Sequence, residues 1–343
     1  MRRSLGLLAL LLTLLGVPVP ALAQSVGTVF QQVNPSVVVV RARGREVSTA
    51  SSDLVSFGEI GAGVLISADG KVMTAAHVVQ AMDEVTVEFL GGETVPARVI
   101  ASEPAADLSL LQLSRVPAGV QVARLADSNG VKIGDQVVVI GAPYGLRHSM
   151  TVGWISARWP PNTVYPTMPL AEFFQTDAVI NSGNSGGPMF GLNGEVVGIV
   201  SHNISKSGGS EGLGFVVTIN TAKKLLLEER SFWSGLEGRL LTDELADLLN
   251  LPPRTLGYLV TRVAKGSPAE ASGIRGGTKI AMIGGESLVL GGDIILEVHG
   301  IPVGGLAHYE QIREALARLG ANGSFNVRVL RAGQILELNG TKK

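Results

Sequence analysis

The chain has 343 residues, of which 45% are hydrophobic and 17% charged, and its formal net charge is -1. That balance excludes a disordered chain, and near-neutrality leaves no basic field to hold nucleic acid or an anionic membrane. With no cysteine, and five histidines of which none sits in a His-Glu-x-x-His pattern, the sequence offers no disulfide, thiolate metal site or lipoprotein anchor, and no metal or cofactor is expected.

Residues 1–23 begin with Arg2-Arg3, continue through an apolar stretch from Leu5 to Val17, and end in Ala21-Leu22-Ala23 before Gln24. This predicts a secretory signal peptide with an Ala-x-Ala cleavage site, and hence a bacterial periplasmic or secreted protein. An uncleaved membrane anchor is the alternative, because the uncharged stretch approaches spanning length; Pro18 and Pro20 favour cleavage, which would leave no stable span. The spacing of Val26, Val29, Phe30 and Val33 predicts a helix that Pro35 ends.

From Ser36 onward, short β-branched runs alternate with turn residues, a pattern that predicts an all-β barrel. The runs include Val37–Val40, Val64–Ile66, Val72–Thr74, Val85–Phe89, Val95–Ile100, Leu108–Leu113 and Val137–Ile140. One of them, Val72-Met73-Thr74-Ala75-Ala76-His77, delivers an imidazole. Another, Ala105-Ala106-Asp107-Leu108, carries a carboxylate at its mouth. Further on, Gly183-Asn184-Ser185-Gly186-Gly187-Pro188 sets a serine on a tight glycine turn, where the N–H groups of Gly183 and Ser185 can hold an oxyanion, with Asn184 sharing the turn. A serine hydroxyl needs a base, and an imidazole base needs a carboxylate to fix its tautomer. His77, Asp107 and Ser185 therefore form a candidate catalytic triad. The rival reading of Gly-x-Ser-x-Gly is the α/β-hydrolase elbow, which Asp293 and His299 could complete. It requires a helix after the serine, whereas Val196–Val200 beyond Asn193-Gly194 reads as a strand.

The pattern then predicts a helix at Asn220–Glu229 capped by Asn220 or Thr221, and a change of character near Ser231–Gly235. Beyond it come a helix at Thr242–Asn250, a strand at Tyr258–Val263, a helix opened by Ser267 with Glu270 completing a capping box, and a strand at Ile294–Val298. A turn at His299-Gly300, a helix at Ala307–Leu319 and strands at Asn326–Leu330 and Gln334–Leu338 finish the chain. Two apolar runs flanking Gly284-Gly285 within 277–291 predict an extra hairpin.

The blocks TAAH, AADLSLLQL and QTDAVINSGNSGGPMF resemble the three active-site blocks of trypsin-like serine proteases, and in particular their HtrA/Deg branch, whose members carry PDZ domains. The segments VAKGSPAEASGIRGG and GGDIILEVHGIPV resemble an HtrA-type PDZ domain. The resemblance implies a mainly β chain: a signal peptide at 1–23, a protease domain of two six-stranded β-barrels at 24–231, and an α+β PDZ domain at 232–343. It further implies that Ser201 supports Asp107, and that Ser201, His202 and Asn203 form the strand that pairs with substrate. Val179, Ile180 and Leu213 would line the specificity pocket, and Trp233, Ser234, Gly235 and Leu236 would form the carboxylate loop of the PDZ groove. Ser234 there replaces the usual apolar residue. In the family the N-terminal helix often helps build homotrimers through aromatic packing, for which Phe30 is the candidate anchor here, the alternative being that it covers the barrel; the loop 159–174 can order or disorder the oxyanion hole. The expected function is a secreted serine endopeptidase acting on unfolded proteins and binding C-terminal peptides; the alternative is a peptide-binding holdase. Because the pocket residues carry no charge, cleavage is expected after small or medium aliphatic residues.

Overall fold

The computed structural model describes residues 25–342 except positions 50, 52, 242, 250, 253, 254, 284 and 321, and the side chain at 243. The expected signal peptide lies outside the described residues. The fold opens with α1 (Val26–Val33), where Ser25 accepts a hydrogen bond from the Thr28 N–H at 3.2 Å and Pro35 forces a 3₁₀ turn at the other end. Phe30 of α1 is partly buried against the core of the second barrel.

Six strands close into the first barrel: β1 (Val37–Val47), β2 (Leu54–Leu65), β3 (Lys71–Thr74), β4 (Glu84–Glu88), β5 (Thr94–Glu103) and β6 (Leu108–Leu113), in the order β1-β2-β3-β6-β5-β4. Val37–Val40 is a continuous apolar run because both of its faces are covered. Val38 and Val40 fill the first barrel with Val72, Val87 and Leu111, while Val37 joins Val64, Met73 and Leu110 in a cluster shared with the second barrel.

The second barrel uses β7 (Arg124–Leu125), β8 (Gln136–Gly141), β9 (Ser149–Trp159), β10 (Phe173–Thr176), β11 (Pro188–Gly191), β12 (Glu195–Asn203) and β13 (Gly214–Thr218). The order is β11-β8-β9-β10-β13-β12, and pairing of β11 with β12 closes six strands into a barrel with β7 appended. The serine turn leads directly into β11, so the helix required by a hydrolase elbow does not exist here.

The helix expected at Asn220–Glu229 is four α-helical residues, Ile219–Ala222, running into a π-helical stretch at Lys223–Glu228. Its N-cap is Thr218 rather than Asn220 or Thr221. The Asn220 N–H and amide are occupied by Ser128 and Asp127, which pulls Asn220 inside the first turn.

The C-terminal part builds a sheet in the order β14 (Leu236–Leu240), β15 (Tyr258–Val263), β18 (Ile294–Val298), β20 (Ser324–Arg331) and β21 (Gln334–Thr341), with β19 (Ile301–Pro302) on β18. The helix at Leu306–Arg318 supplies Leu316 and Ile312 to its core. This arrangement is compatible with a PDZ domain. β16 (Lys279–Ile283) and β17 (Glu286–Leu290) form a separate two-stranded hairpin. At the helix Pro268–Ala271, Ser267 caps the Glu270 N–H as the capping box predicts, but Glu270 reaches back to the N–H of Gly266 rather than that of Ser267.

Candidate active site

The site lies in the seam between the barrels. β3 ends in a single helical turn, Ala76–Val79, that holds His77, and the 3₁₀ turn Pro104–Ala106 between β5 and β6 holds Asp107 in the left-handed conformation at φ 53°. The two turns are bonded to each other. The Ala76 N–H donates to the Asp107 carbonyl at 3.2 Å, and the His77 N–H donates to Asp107 Oδ1 at 3.0 Å. The short helical turn thus gives its otherwise unpaired N–H groups to the acid. His77 Nδ1 lies 2.9 and 3.0 Å from the two Asp107 oxygens, a geometry that fixes the ring in its Nδ1–H tautomer.

From the second barrel, the Ser201 hydroxyl donates to Asp107 Oδ2. Burial pushes the Asp107 carboxyl up, but the charge and hydrogen bond of His77 and the bond from Ser201 outweigh it and hold the group below its ordinary value. For His77, desolvation pushes the imidazole down, while the charge of Asp107 and its hydrogen bond push it up; the balance lies above the ordinary 6.5.

Ser185 sits opposite, on the turn between Asn181 and β11. Gly183 has φ +101° and a Cβ there would lie 2.1 Å from the Ala142 carbonyl oxygen; Gly186 has φ +81° and a Cβ there would lie 2.2 Å from Thr74 Oγ1. Only glycine fits either position, which accounts for the Gly-x-Ser-Gly spelling. The Asn184 N–H donates to the Asn181 carbonyl at 3.0 Å, and its side chain, buried, reaches the Val179 carbonyl at 3.3 Å. Asn184 therefore braces the turn. Among the described residues, the N–H groups of Gly183 and Ser185 carry no such bond and remain available to an oxyanion. Ser185 Oγ donates to the Ser201 carbonyl at 3.1 Å, not to His77.

Of the expected pocket residues, Val179 and Leu213 are 46% and 38% exposed, whereas Ile180 is buried with its side chain against Gly214. Asn203 turns its amide to the carbonyls of Ile180 and Gly209, at 3.0 and 3.3 Å. His202 lies in an aromatic cage with Tyr165, Phe173 and Phe215. Tyr165 belongs to the loop 159–174, so that loop reaches β12 through the cage.

The segment 233–236, expected to form a carboxylate loop, is hydrogen-bonded to Gln80 beside the first barrel. Trp233 Nε1 donates to the Gln80 carbonyl at 2.9 Å and Gln80 Nε2 donates to the Leu236 carbonyl at 3.2 Å. Gly235 has φ +74°, and the Leu236 N–H is taken by the Ser234 hydroxyl at 3.3 Å.

Sequence reasoning missed a buried carboxylate at the root of the Asp107 turn. Glu103 is 1% exposed and accepts hydrogen bonds from Tyr309 of the C-terminal helix and from Ser231 at 3.0 Å, with Arg313 3.8 Å away. Its one local partner is the Ala105 N–H at 3.4 Å, an ordinary cap contact; the side chains that bury it come from beyond position 230.

Residues 61–199 match the family described as the trypsin-like peptidase domain. A probable periplasmic serine endoprotease DegP-like of Ectopseudomonas mendocina (strain ymp) is 34% identical over 261 residues, covering 74% of this chain and 54% of the relative. Its counterpart in Pseudomonas putida (strain W619) is 36% identical over 263 residues, covering 74% and 53%. The chain spans about half the length of these curated relatives. Among solved structures, the HtrA-type protease AlgW with decapeptide aligns at 27% identity over 92% of this chain and 98% of that one, with a TM-score of 0.53.

Proposed function

Since this chain belongs to the trypsin-like peptidases of the HtrA type, we propose that it is a periplasmic serine endopeptidase that cleaves unfolded proteins. One observation carries the reading: Asp107, ionised and fixed by both barrels, grips His77 Nδ1 across the seam from a serine on a glycine turn. In the reaction, Ser185 Oγ attacks the substrate carbonyl and His77 Nε2 takes the hydroxyl proton. The oxyanion is received by the N–H groups of Gly183 and Ser185. The imidazolium, stabilised by Asp107, then protonates the leaving amine, and water repeats the sequence on the acyl-enzyme.

An extended substrate adds as a strand along 201–203, with its side chain between Val179, Ile180 and Leu213. Peptide carboxylates bind at 233–236, and assembly as a homotrimer is part of the same reading. Unfolded chains are the fitting substrate class, because strand addition requires an extended backbone. No described helix is long and apolar enough to cross a membrane; the periplasmic location rests on the predicted leader and on the relatives.

The test compares wild type with Ser185→Ala in the degradation of denatured casein. Loss of a nucleophile lowers turnover by about 10⁶-fold, so substantial residual cleavage by the variant overturns the assignment. The same variant separates cutting from holding: a holdase suppresses client aggregation equally well without its serine hydroxyl. The mass of the mature protein in solution tests the trimer.

A further inference from the structure

Strand β12 carries a bulge at the substrate-facing end. Val200 pairs with Val216 and His202 with Phe215, so Ser201 lies between two successive partners without one of its own. A regular strand would send Ser201 and His202 to opposite faces; the bulge turns both side chains the same way. His202 Nδ1 consequently lies 2.8 Å from Ser201 Oγ. The direction of that bond is determined. A carboxylate only accepts, so the Ser201 proton goes to Asp107 Oδ2, and Ser201 Oγ can only accept from His202 Nδ1–H.

The ring is held in that attitude from three sides. Phe215 stacks on it at 21° with centroids 5.8 Å apart, and Tyr165 and Phe173 meet it edge-on at 4.1 and 5.9 Å. Its Nε2 is buried with no partner among the described residues, which leaves Nδ1 as its single hydrogen-bonding function. Burial pushes this imidazole down to about 4; Asp107 raises it and His77 lowers it, so the ring stays neutral over the range in which His77 titrates.

Building on the endopeptidase reading above, we propose that His202 is a positioning residue of the catalytic site, acting through Ser201 on Asp107. Its N–H polarises the Ser201 hydroxyl and strengthens the bond from Ser201 to the carboxylate, since hydrogen bonds in a chain reinforce one another. That bond draws charge away from Asp107 and aims the oxygen that faces His77. The cage gives Tyr165, and with it the loop 159–174, a physical hold on the acid of the triad.

The test uses a small fluorophosphonate that labels Ser185 without occupying the peptide strand, and measures the labelling rate across pH. His202→Phe fills the cage without a donor. His202→Asn restores an N–H near the position of Nδ1. The Phe variant is expected to label about tenfold more slowly. Its ascending pH limb should move upward, because Asp107 with a weaker Ser201 bond holds the imidazolium more tightly. The Asn variant should recover both rate and limb. His202→Ala, read by the same two measures, guards against a Phe variant that fails to fold.

If the Phe and Ala variants label at the wild-type rate with an unmoved limb, and only KM for peptides changes, His202 is a groove wall and the proposal is wrong. The proposal also fails if Asn recovers nothing. Wild type that is not labelled at all overturns the endopeptidase reading, and this inference with it.

Discussion

The hydroxyl of Ser185 donates to the carbonyl of Ser201 at 3.1 Å, while the imidazole of His77 is bonded to Asp107. The candidate nucleophile and its base thus face each other across the seam without being joined. In the proposed strand addition along 201–203, the Ser201 carbonyl is also an acceptor for the substrate backbone. An incoming amide N–H that takes this carbonyl frees the serine proton for His77. Methylating the nitrogen of the substrate residue that precedes the scissile bond should therefore lower kcat and not only raise KM. A single hydrogen bond of about 1 kcal/mol accounts for roughly fivefold; a larger loss, concentrated in kcat on steady-state assay, is the expected result.

Asp107→Asn replaces an ionised acceptor by an amide that cannot hold the Nδ1–H tautomer unambiguously. Turnover should fall by about 10⁴-fold. In wild type, the His77 pKa lies above 6.5, so the base is protonated and idle at lower pH and becomes active as pH rises through the raised value. A pH-rate profile should place the ascending limb above that of free imidazole, and residual activity of the Asn variant should show a lower limb.

Specificity should follow the exposed pair Val179 and Leu213 above the buried Ile180. Fragments of a denatured protein, sequenced after digestion, should end mostly in Val, Ala, Leu or Ile. Leu213→Gly should open the site to Phe, with a shift in preference of about 10–200-fold, the range expected for changing apolar bulk in a pocket.

Glu103 offers a separate test of the link between the C-terminal helix and the catalytic turn. Burial raises its carboxyl above the ordinary 4.5, against the bonds from Tyr309 and Ser231 and the charge of Arg313. A raised folded-state pKa contributes stability at low pH that is lost as pH rises through it. Glu103→Gln keeps the neutral shape, so at pH 7 it should melt at or above the wild-type temperature, the gap closing as pH falls toward 4.5. Tyr309→Phe leaves the carboxyl one donor short and should destabilise the protein by about 1–3 kcal/mol by thermal melting.

The parts of the fold legible in sequence are those written in short repeats. Leu108–Leu113 and Tyr258–Val263 read as strands from their own residues and are strands to the residue. The glycine turn at Ser185 was equally open to reading, because only backbone freedom explains its spelling. The rest depended on tertiary partners. The cap of the helix at 219 is set by Asp127 and Ser128, and the shared face of Ser201 and His202 is set by a bulge against Phe215. The buried state of Glu103 is set largely by Ser231, Tyr309 and Arg313, more than 120 residues along the chain. None of these partners lies within reach of a local pattern.

His77 and Asp107 stand on one barrel, Ser185 and Ser201 on the other, and the bond from Ser201 to Asp107 fastens the two together along with that from the Ala62 N–H to the Ser185 carbonyl. If cutting needs all of these residues, a chain with either barrel still unfolded lacks a complete site. The base and its acid can be in place while the nucleophile is still an unstructured serine, and cutting begins only when the second barrel has closed and docked.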